Sequence, residues 1–325
     1  MITLWLFGCH PTNTPDTAPT IDTGWFAETG DWRCADRVMS TRPDAGTADW
    51  YWRDALVVRT GTREHALYDA WIVDPDGVPV ASDVSWSPDQ PEMVVTPGVP
   101  LRPSSTYSLV VRDCEGLQFV PFGTSVLGEP LTGGPESLID ATFAVRLQDA
   151  VWDEPAGLGG LIALYLDWPV LLGVQFANDD IVDLIGAQGY LDGNGHARQI
   201  GNSPTWDYPL SSFAQAPYID TTAPQIFIAA SSAVVLPVYN FRLRATFAAD
   251  GSAIAGARVS GLADTRGLGP ALDMGEDEDA VCTAATAFGV TCVPCPDSAP
   301  YCLQIDAHDV RGERVEGVVV VPVVP

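Results

Sequence analysis

The chain contains no lysine. Its 16 basic residues are all arginine, set against 42 acidic residues, and the net charge is −26 over 325 residues. A surface this acidic repels phosphate backbones and anionic head groups, which argues against nucleic acid as a partner. It tolerates divalent cations, high salt and other acidic surroundings. A GC-rich codon bias accounts for the missing lysine without invoking function. Histidine is also scarce. His10, His65, His196 and His308 are the only four, and none falls in a metalloprotease helix motif, so structural or surface roles are expected for them. No G-x-S-x-G nucleophile elbow is present. Gly157-Leu158-Gly159-Gly160 lacks the preceding strand that a dinucleotide fingerprint requires. No cofactor is therefore expected. Long apolar runs are missing as well. The richest stretch, residues 158–174, carries Asp167 and Pro169 in its middle, and a membrane span needs about 20 mostly apolar residues. It reads as a short buried helix running into a strand.

What is present points to a folded, exported chain. Hydrophobic residues make up 46%, well above the disordered range, and the length fits about two domains. The seven cysteines are Cys9, Cys34, Cys114, Cys282, Cys292, Cys295 and Cys302. Setting Cys9 aside leaves an even six, with Cys34 and Cys114 flanking the first half and four crowded near the end. One disulfide in the first domain and two in the second is the simplest reading, and it requires an oxidising compartment. Zinc and redox chemistry compete for Cys292-Val-Pro-Cys295. A zinc ribbon, however, wants a second C-x-x-C pair, and the following Pro296-Asp297-Ser298 is turn chemistry rather than a helix start. Spacing alone leaves the connectivity open. The pairing adopted as an expectation is Cys282 with Cys292 and Cys295 with Cys302.

Cys9 closes the run Leu6-Phe7-Gly8-Cys9 after an apolar start. That pattern resembles a bacterial lipoprotein signal, which implies a lipid on Cys9 and attachment to a membrane through it. No basic residue precedes Cys9 and the apolar stretch is short, so the expected start lies upstream of Met1. Residues 10–24 are rich in Thr, Pro and Asp with almost nothing to bury, and a disordered tether is expected over 10–32.

Residues 33–127 read as an all-β domain. Tyr107, Leu109 and Val111 alternate on one face, and Asp74-Pro75-Asp76-Gly77 and Asp113-Cys114-Glu115-Gly116 are turns. Short strands with such turns argue for a β-sandwich. Val94-Val95-Thr96-Pro97, then Pro100-Leu101-Arg102-Pro103-Ser104-Ser105-Thr106-Tyr107, then Phe119 to Thr124 resemble the Ig-like module of S-layer proteins (SbsA type). The resemblance covers less than a third of the chain, and the last strand carries one extra residue. It implies a spacer or presentation module without an active site, in which Cys34 and Cys114 staple the entry to the last hairpin.

Residues 128–137 have a linker composition, and 138–325 form the second domain. Alternation in 143–147 and 170–176, the hairpin turn Asp192-Gly193-Asn194-Gly195, and strand-like stretches at 225–228, 239–247 and 257–262 make it mostly β, a sandwich or jelly-roll. A helix is expected over 267–288, a stapled hairpin over 292–306 and a last apolar strand over 315–324. The domain's general look is similar to second domains of lipoproteins from GC-rich Gram-negative bacteria.

Each candidate site has a structural counterpart. Asp153-Glu154 offers adjacent carboxylates, but strand neighbours point to opposite faces, so a solvated turn is expected. Asn178, Asp179, Asp180 and Asp183, and Asp192 with Asn194, could offer oxygens to calcium. No EF-hand loop is present, and they read as turn-formers. Trp50 and Trp52 would share a face on a strand and could stack a sugar, although large aromatics are mostly core. The reading that results is a lipid-anchored cell-envelope protein, at the outer membrane or cell surface. Its role is structural, adhesive or ligand-presenting, with an envelope protein or polysaccharide as partner. A hydrolase acting on envelope polysaccharide and a metal-binding module are the alternatives.

Overall fold

The computed structural model describes residues 37–157, 159–160, 166, 168–229 and 235–323. The protein is mainly β, built from antiparallel sheets with little helix among the described residues. The N-terminal strands are β1 (Val38–Arg42), β2 (Leu56–Thr60), β3 (Asp69–Val73), β4 (Pro79–Val80), β5 (Ser82–Trp86), β6 (Glu92–Pro97), β7 (Thr106–Asp113) and β8 (Gly116–Gly123). They form two four-stranded sheets, β1-β2-β6-β5 and β4-β3-β7-β8.

Period-two alternation creates the core between these sheets. Leu56, Val58, Met93 and Val95 from one sheet meet Ala70, Ile72, Leu109, Val111 and Phe122 from the other. The Pro-rich approach to β7 is fastened by side chains. The Tyr107 hydroxyl accepts the Arg102 N–H at 2.9 Å, and Thr124 Oγ1 donates to the Arg102 carbonyl at 2.6 Å. The residues that carry the Ig-like resemblance thus lock a loop onto the sandwich. Cys34, expected to staple this sandwich, and Cys9 lie outside the described residues. Cys114 is disulfide-bonded.

The remaining strands are β9 (Thr142–Arg146), β10 (Val151–Glu154), β11 (Val170–Ala177), β12 (Ile181–Leu191), β13 (Ala197–Gln199), β14 (Trp206–Asp207), β15 (Ser211–Ser212), β16 (Tyr218–Ala229), β17 (Val235–Phe247), β18 (Ala253–Asp264) and β19 (Cys302–Arg314). They make one 11-stranded sheet with the path β13-β12-β11-β9-β19-β18-β17-β16. The sheet curls into a half-barrel, so its concave face encloses the core that a flat sheet would leave open. β16 returns toward β15, where Ser211 Oγ and Thr221 Oγ1 are hydrogen-bonded at 2.7 Å. Phe143, Phe213 and Phe247 fill the interior, with ring centroids 5.3 and 5.9 Å apart in the Phe143–Phe247 and Phe213–Phe247 pairs. The segment between the two cores is itself packed: Pro135 and Leu138 are buried in the turn Pro135–Leu138.

Two expected elements differ. The helix expected over 267–288 is reduced to Ala280–Thr286 and a one-turn 3-10 segment, Pro270–Leu272. Gly275 and Asp273, both at positive φ, break it before the acidic run, and Gly289 at φ 78° lies just beyond its end. The last strand expected over 315–324 ends early, because β19 stops at Arg314. Gly317, at φ 69°, follows as a turn residue, and the chain then crosses the outside of the sheet. There Val318 and Val320 pack on Leu171, Ile185, Ala187 and Ala197. The Gln199 side chain holds this strap by donating to the Val321 carbonyl and accepting its N–H, both at 2.8 Å. Among the described residues no helix is long and apolar enough to cross a membrane.

Candidate functional site at the junction of the two cores

Aromatic and ionisable side chains gather where the loop Trp50–Asp54 meets the outer face of the half-barrel. This loop is a turn, not a strand, so Trp50 and Trp52 do not share an exposed face. Trp52 is 8% exposed and belongs to the sandwich core, with Trp50 packed beside it. The Tyr51 hydroxyl bonds to Thr246 Oγ1 at 2.7 Å. Its ring lies over Gly256, where a Cβ would sit 2.5 Å from Cε2. Only glycine allows that approach. Burial pushes the Tyr51 phenol up to about 12, although its bond to Thr246 pulls the other way.

Trp52 meets Tyr218 edge-on at 6.4 Å. The Arg53 guanidinium lies 3.5 Å from the Tyr218 ring centre and 4.5 Å from that of Trp52, and it donates to Gln215. This places a cation between an aromatic ring of the loop and one of β16.

The next residue, Asp54, faces a charged cluster on β10, β18 and β19. A bulge between Trp152 and Glu154 breaks the β10–β19 register at Asp153, which re-aims its carboxylate. Asp153 Oδ2 then lies 3.0 Å from His308 Nδ1 and 3.2 Å from Arg258 Nη2. Arg258 Nε donates to Asp306 at 2.7 Å. That bond, outweighing burial, raises the guanidinium pKa. His308 Nε2 is 3.9 Å from Asp309. Asp54 keeps an exposed surface, yet protein crowds it on its other sides. Desolvation first, then the Asp309 charge, hold its pKa up at about 6, against the pull of His308, Arg258 and Arg42. The arrangement sets a carboxylate whose pKa is raised to about 6 near a histidine–carboxylate pair. Among the described residues, no hydroxyl or thiol is bonded to His308.

Sequence reasoning treated Asp153 as part of a solvated turn and gave His308 a structural or surface role. Asp306 and His308 are two apart on one strand face, and this alternation was the signal available. Their partners, Arg258 for Asp306 and Asp153 for His308, are remote in sequence, and the bulge has no sequence signature.

The other candidates serve as turn and staple chemistry. Asn178 Oδ1 accepts the N–H groups of Asp180 and Ile181, each at 2.9 Å, and Asp179 and Asp180 are exposed. Asp192 accepts from Asn194 N at 2.9 Å and His196 N at 3.0 Å, and these bonds hold its carboxyl below the usual range. Burial, with the Asp207 charge, raises Asp183. Among the described residues, no group of three His, Cys, Asp or Glu side chains converges as a metal ion would need. Cys282 is bonded to Cys292 (Cα–Cα 5.7 Å) and Cys295 to Cys302 (5.1 Å), so none of these sulfurs is available to zinc. Arg266 clamps this stapled end to β18 by binding Asp264 at 2.6 Å and Asp297 at 2.7 Å. A cavity of about 210 Å³ beside the strap, lined by Thr142, Gly173 and Val320 among others, falls below the usual 300–1,000 Å³ of ligand pockets.

No family model matches the chain, and no curated protein does. Among solved structures, the methionine-rich copper resistance protein PcoC from Escherichia coli aligns at 19% identity and a TM-score of 0.23, over 28% of this chain and 98% of PcoC. The S-layer protein SbsC aligns at 10% identity and a TM-score of 0.22, over 90% of this chain and 55% of that one. A second SbsC structure, of domains 1–6, gives 11% and 0.21. Likeness this slight carries neither fold nor function across.

Proposed function

We propose that this is an exported cell-envelope protein, held at a membrane by a lipid on Cys9, in which two β-rich domains form a rigid body that presents a surface to an envelope protein or polysaccharide. The observation that carries the export half is the state of the cysteines: all five among the described residues are disulfide-bonded. Disulfides of this kind persist in oxidising compartments and are rare in the cytosol. The rigidity half is supported by the junction, where Tyr51, Trp52 and Arg53 interlock with Tyr218, Thr246 and Gly256. A spacer of this kind transmits position rather than performing chemistry.

Thiol trapping tests the export half. Cells are quenched in acid and alkylated before any reduction, and the expected result is that Cys114, Cys282, Cys292, Cys295 and Cys302 stay unmodified until reductant is added. Alkylation of these five without reductant would remove the basis for export.

A hydrolase acting on envelope polysaccharide is the second reading, and one observation favours it. Asp54 holds a proton up to about pH 6 beside other carboxylates, the separation of acid and base roles that such enzymes use. Release of reducing ends from isolated cell-wall polysaccharide, abolished in Asp54→Asn, is its expected result. No release by the wild-type protein would dismiss it.

A further inference from the structure

The strap that crosses the outside of the half-barrel roofs the cavity of about 210 Å³. Register builds the floor. Thr142 of β9 lies opposite Gly173 of β11, and Gly173 lies opposite Ile185 of β12. Their neighbours Phe143, Leu172 and Leu184 belong to the core, so alternation turns Thr142, Gly173 and Ile185 outward, beneath the strap. Gly173 lets the strap come close: a Cβ there would sit 3.0 Å from Val320 Cβ. The strap is held without a strand ladder. Its Val315 N–H donates to the Thr142 carbonyl at 2.8 Å, and the Gln199 and Thr205 side chains bind Val321 and Val323 further along. A roof fastened in this way can yield without breaking the sheet.

Two groups give this cavity a polar side. Thr142 is 1% exposed, and its hydroxyl has no hydrogen-bond partner among the described residues. A buried hydroxyl left unpaired costs free energy and calls for a partner. Asp140, two residues earlier and exposed, lines the same cavity. Its Cα lies within about 7.6 Å of that of Thr142, so one small polar group can reach both side chains. A net charge of −26 favours a cation over an anion there. The volume excludes a drug-sized ligand, but an apolar cavity of about 150 Å³ already accommodates one benzene ring.

We propose that this cavity is a binding site for a small primary amine. Its ammonium group donates to Thr142 Oγ1 and to the Asp140 carboxylate, and its apolar body, about the size of one ring, lies between Gly173, Ile185 and Val320. The strap lifts to admit it. The site is separate from the junction of the two cores, and the proposal stands whether or not Cys9 carries a lipid.

The test titrates the full chain with benzylamine and follows backbone amide signals by NMR, with benzyl alcohol and benzoate as neutral and anionic probes of the same size. Benzylamine should shift the amides of Thr142, Gly173 and Val320 at concentrations up to about 20 mM, and benzoate should not. Thr142→Val keeps the side-chain shape and removes only the unpaired hydroxyl. It should weaken benzylamine binding about tenfold with no fall in Tm. Asp140→Asn suits the positive φ of 63° at this position. It should weaken benzylamine about threefold and leave benzyl alcohol unchanged. No benzylamine shift at these amides, an equal shift with benzoate, or undiminished affinity in Thr142→Val would overturn the proposal. A lower Tm in Thr142→Val would also overturn it, because the hydroxyl would then be bonded within the fold.

Discussion

Gly128 is the residue on which the rigidity of the junction can be tested with one methyl group. Its φ is +107°, and a Cβ there would sit 2.4 Å from Trp52 Nε1 and 2.7 Å from Cε2. Trp52 has little room to yield: it is 8% exposed and wedged between Tyr51, Arg53 and Tyr218. Two costs add in Gly128→Ala. The backbone conformation costs an L-residue about 1–2 kcal/mol, and displacing a packed ring costs about 1–3 kcal/mol. Together they come to about 2–5 kcal/mol, or a fall in Tm of about 4–10 °C for a chain of this size. Gly77→Ala separates the two terms. Gly77 also has a positive φ, +78°, but nothing lies within 4 Å of its Cβ position, so that variant bears the backbone cost alone. Calorimetric melting of wild type, Gly77→Ala and Gly128→Ala reads both terms directly. If Gly128→Ala melts no lower than Gly77→Ala, Trp52 does not rest on Gly128 and the description of the junction is wrong.

Three further outcomes are expected. Replacing Cys295 and Cys302 by serine opens a loop closed over a sequence separation of seven and should cost about 2.5 kcal/mol by loop entropy, measured by urea unfolding. Val320→Ala should cost about 2 kcal/mol, because Val320 is 4% exposed under the strap, whereas Val319→Ala, 53% exposed, should stay within about 0.5 kcal/mol; urea midpoints distinguish them. Asp54 has its folded pKa raised from 3.8 to about 6, so the native state binds its proton more tightly and this favourable term is complete below pH 4. It is lost as pH rises toward 6 and is then level. Screening at this exposed group limits the effect to about 1 kcal/mol. The Tm of wild type relative to Asp54→Asn should therefore fall between pH 4 and 6.5, and parallel pH profiles would refute the assignment.

Local periodicity made much of the fold legible. The alternation of Tyr107, Leu109 and Val111 is the inward face of β7, and that of Val170, Leu172 and Val174 lines the half-barrel core. The cysteines near the end were legible for the same reason, being close in sequence. Residues 315–324 show where composition misleads. A run of valines satisfies a strand pattern equally well whether it pairs by backbone or lies across a sheet face, and here Gly317 and the Gln199 side chain decide it. The expected helix failed because its apolar spacing was broken by Gly269-Pro270 and Gly275, which outweigh helix-forming neighbours. The junction was illegible for a different reason. Asp54, Asp153 and His308 come from three distant parts of the chain, and only the sheet register and one bulge bring the last two together.

Attachment of the chain through a lipid on Cys9 can be read by metabolic labelling. Cells producing the wild-type chain in the presence of radiolabelled palmitate should yield a labelled protein, and Cys9→Ala should yield the same protein without label. Equal label on Cys9→Ala, or none on the wild type, would contradict the account.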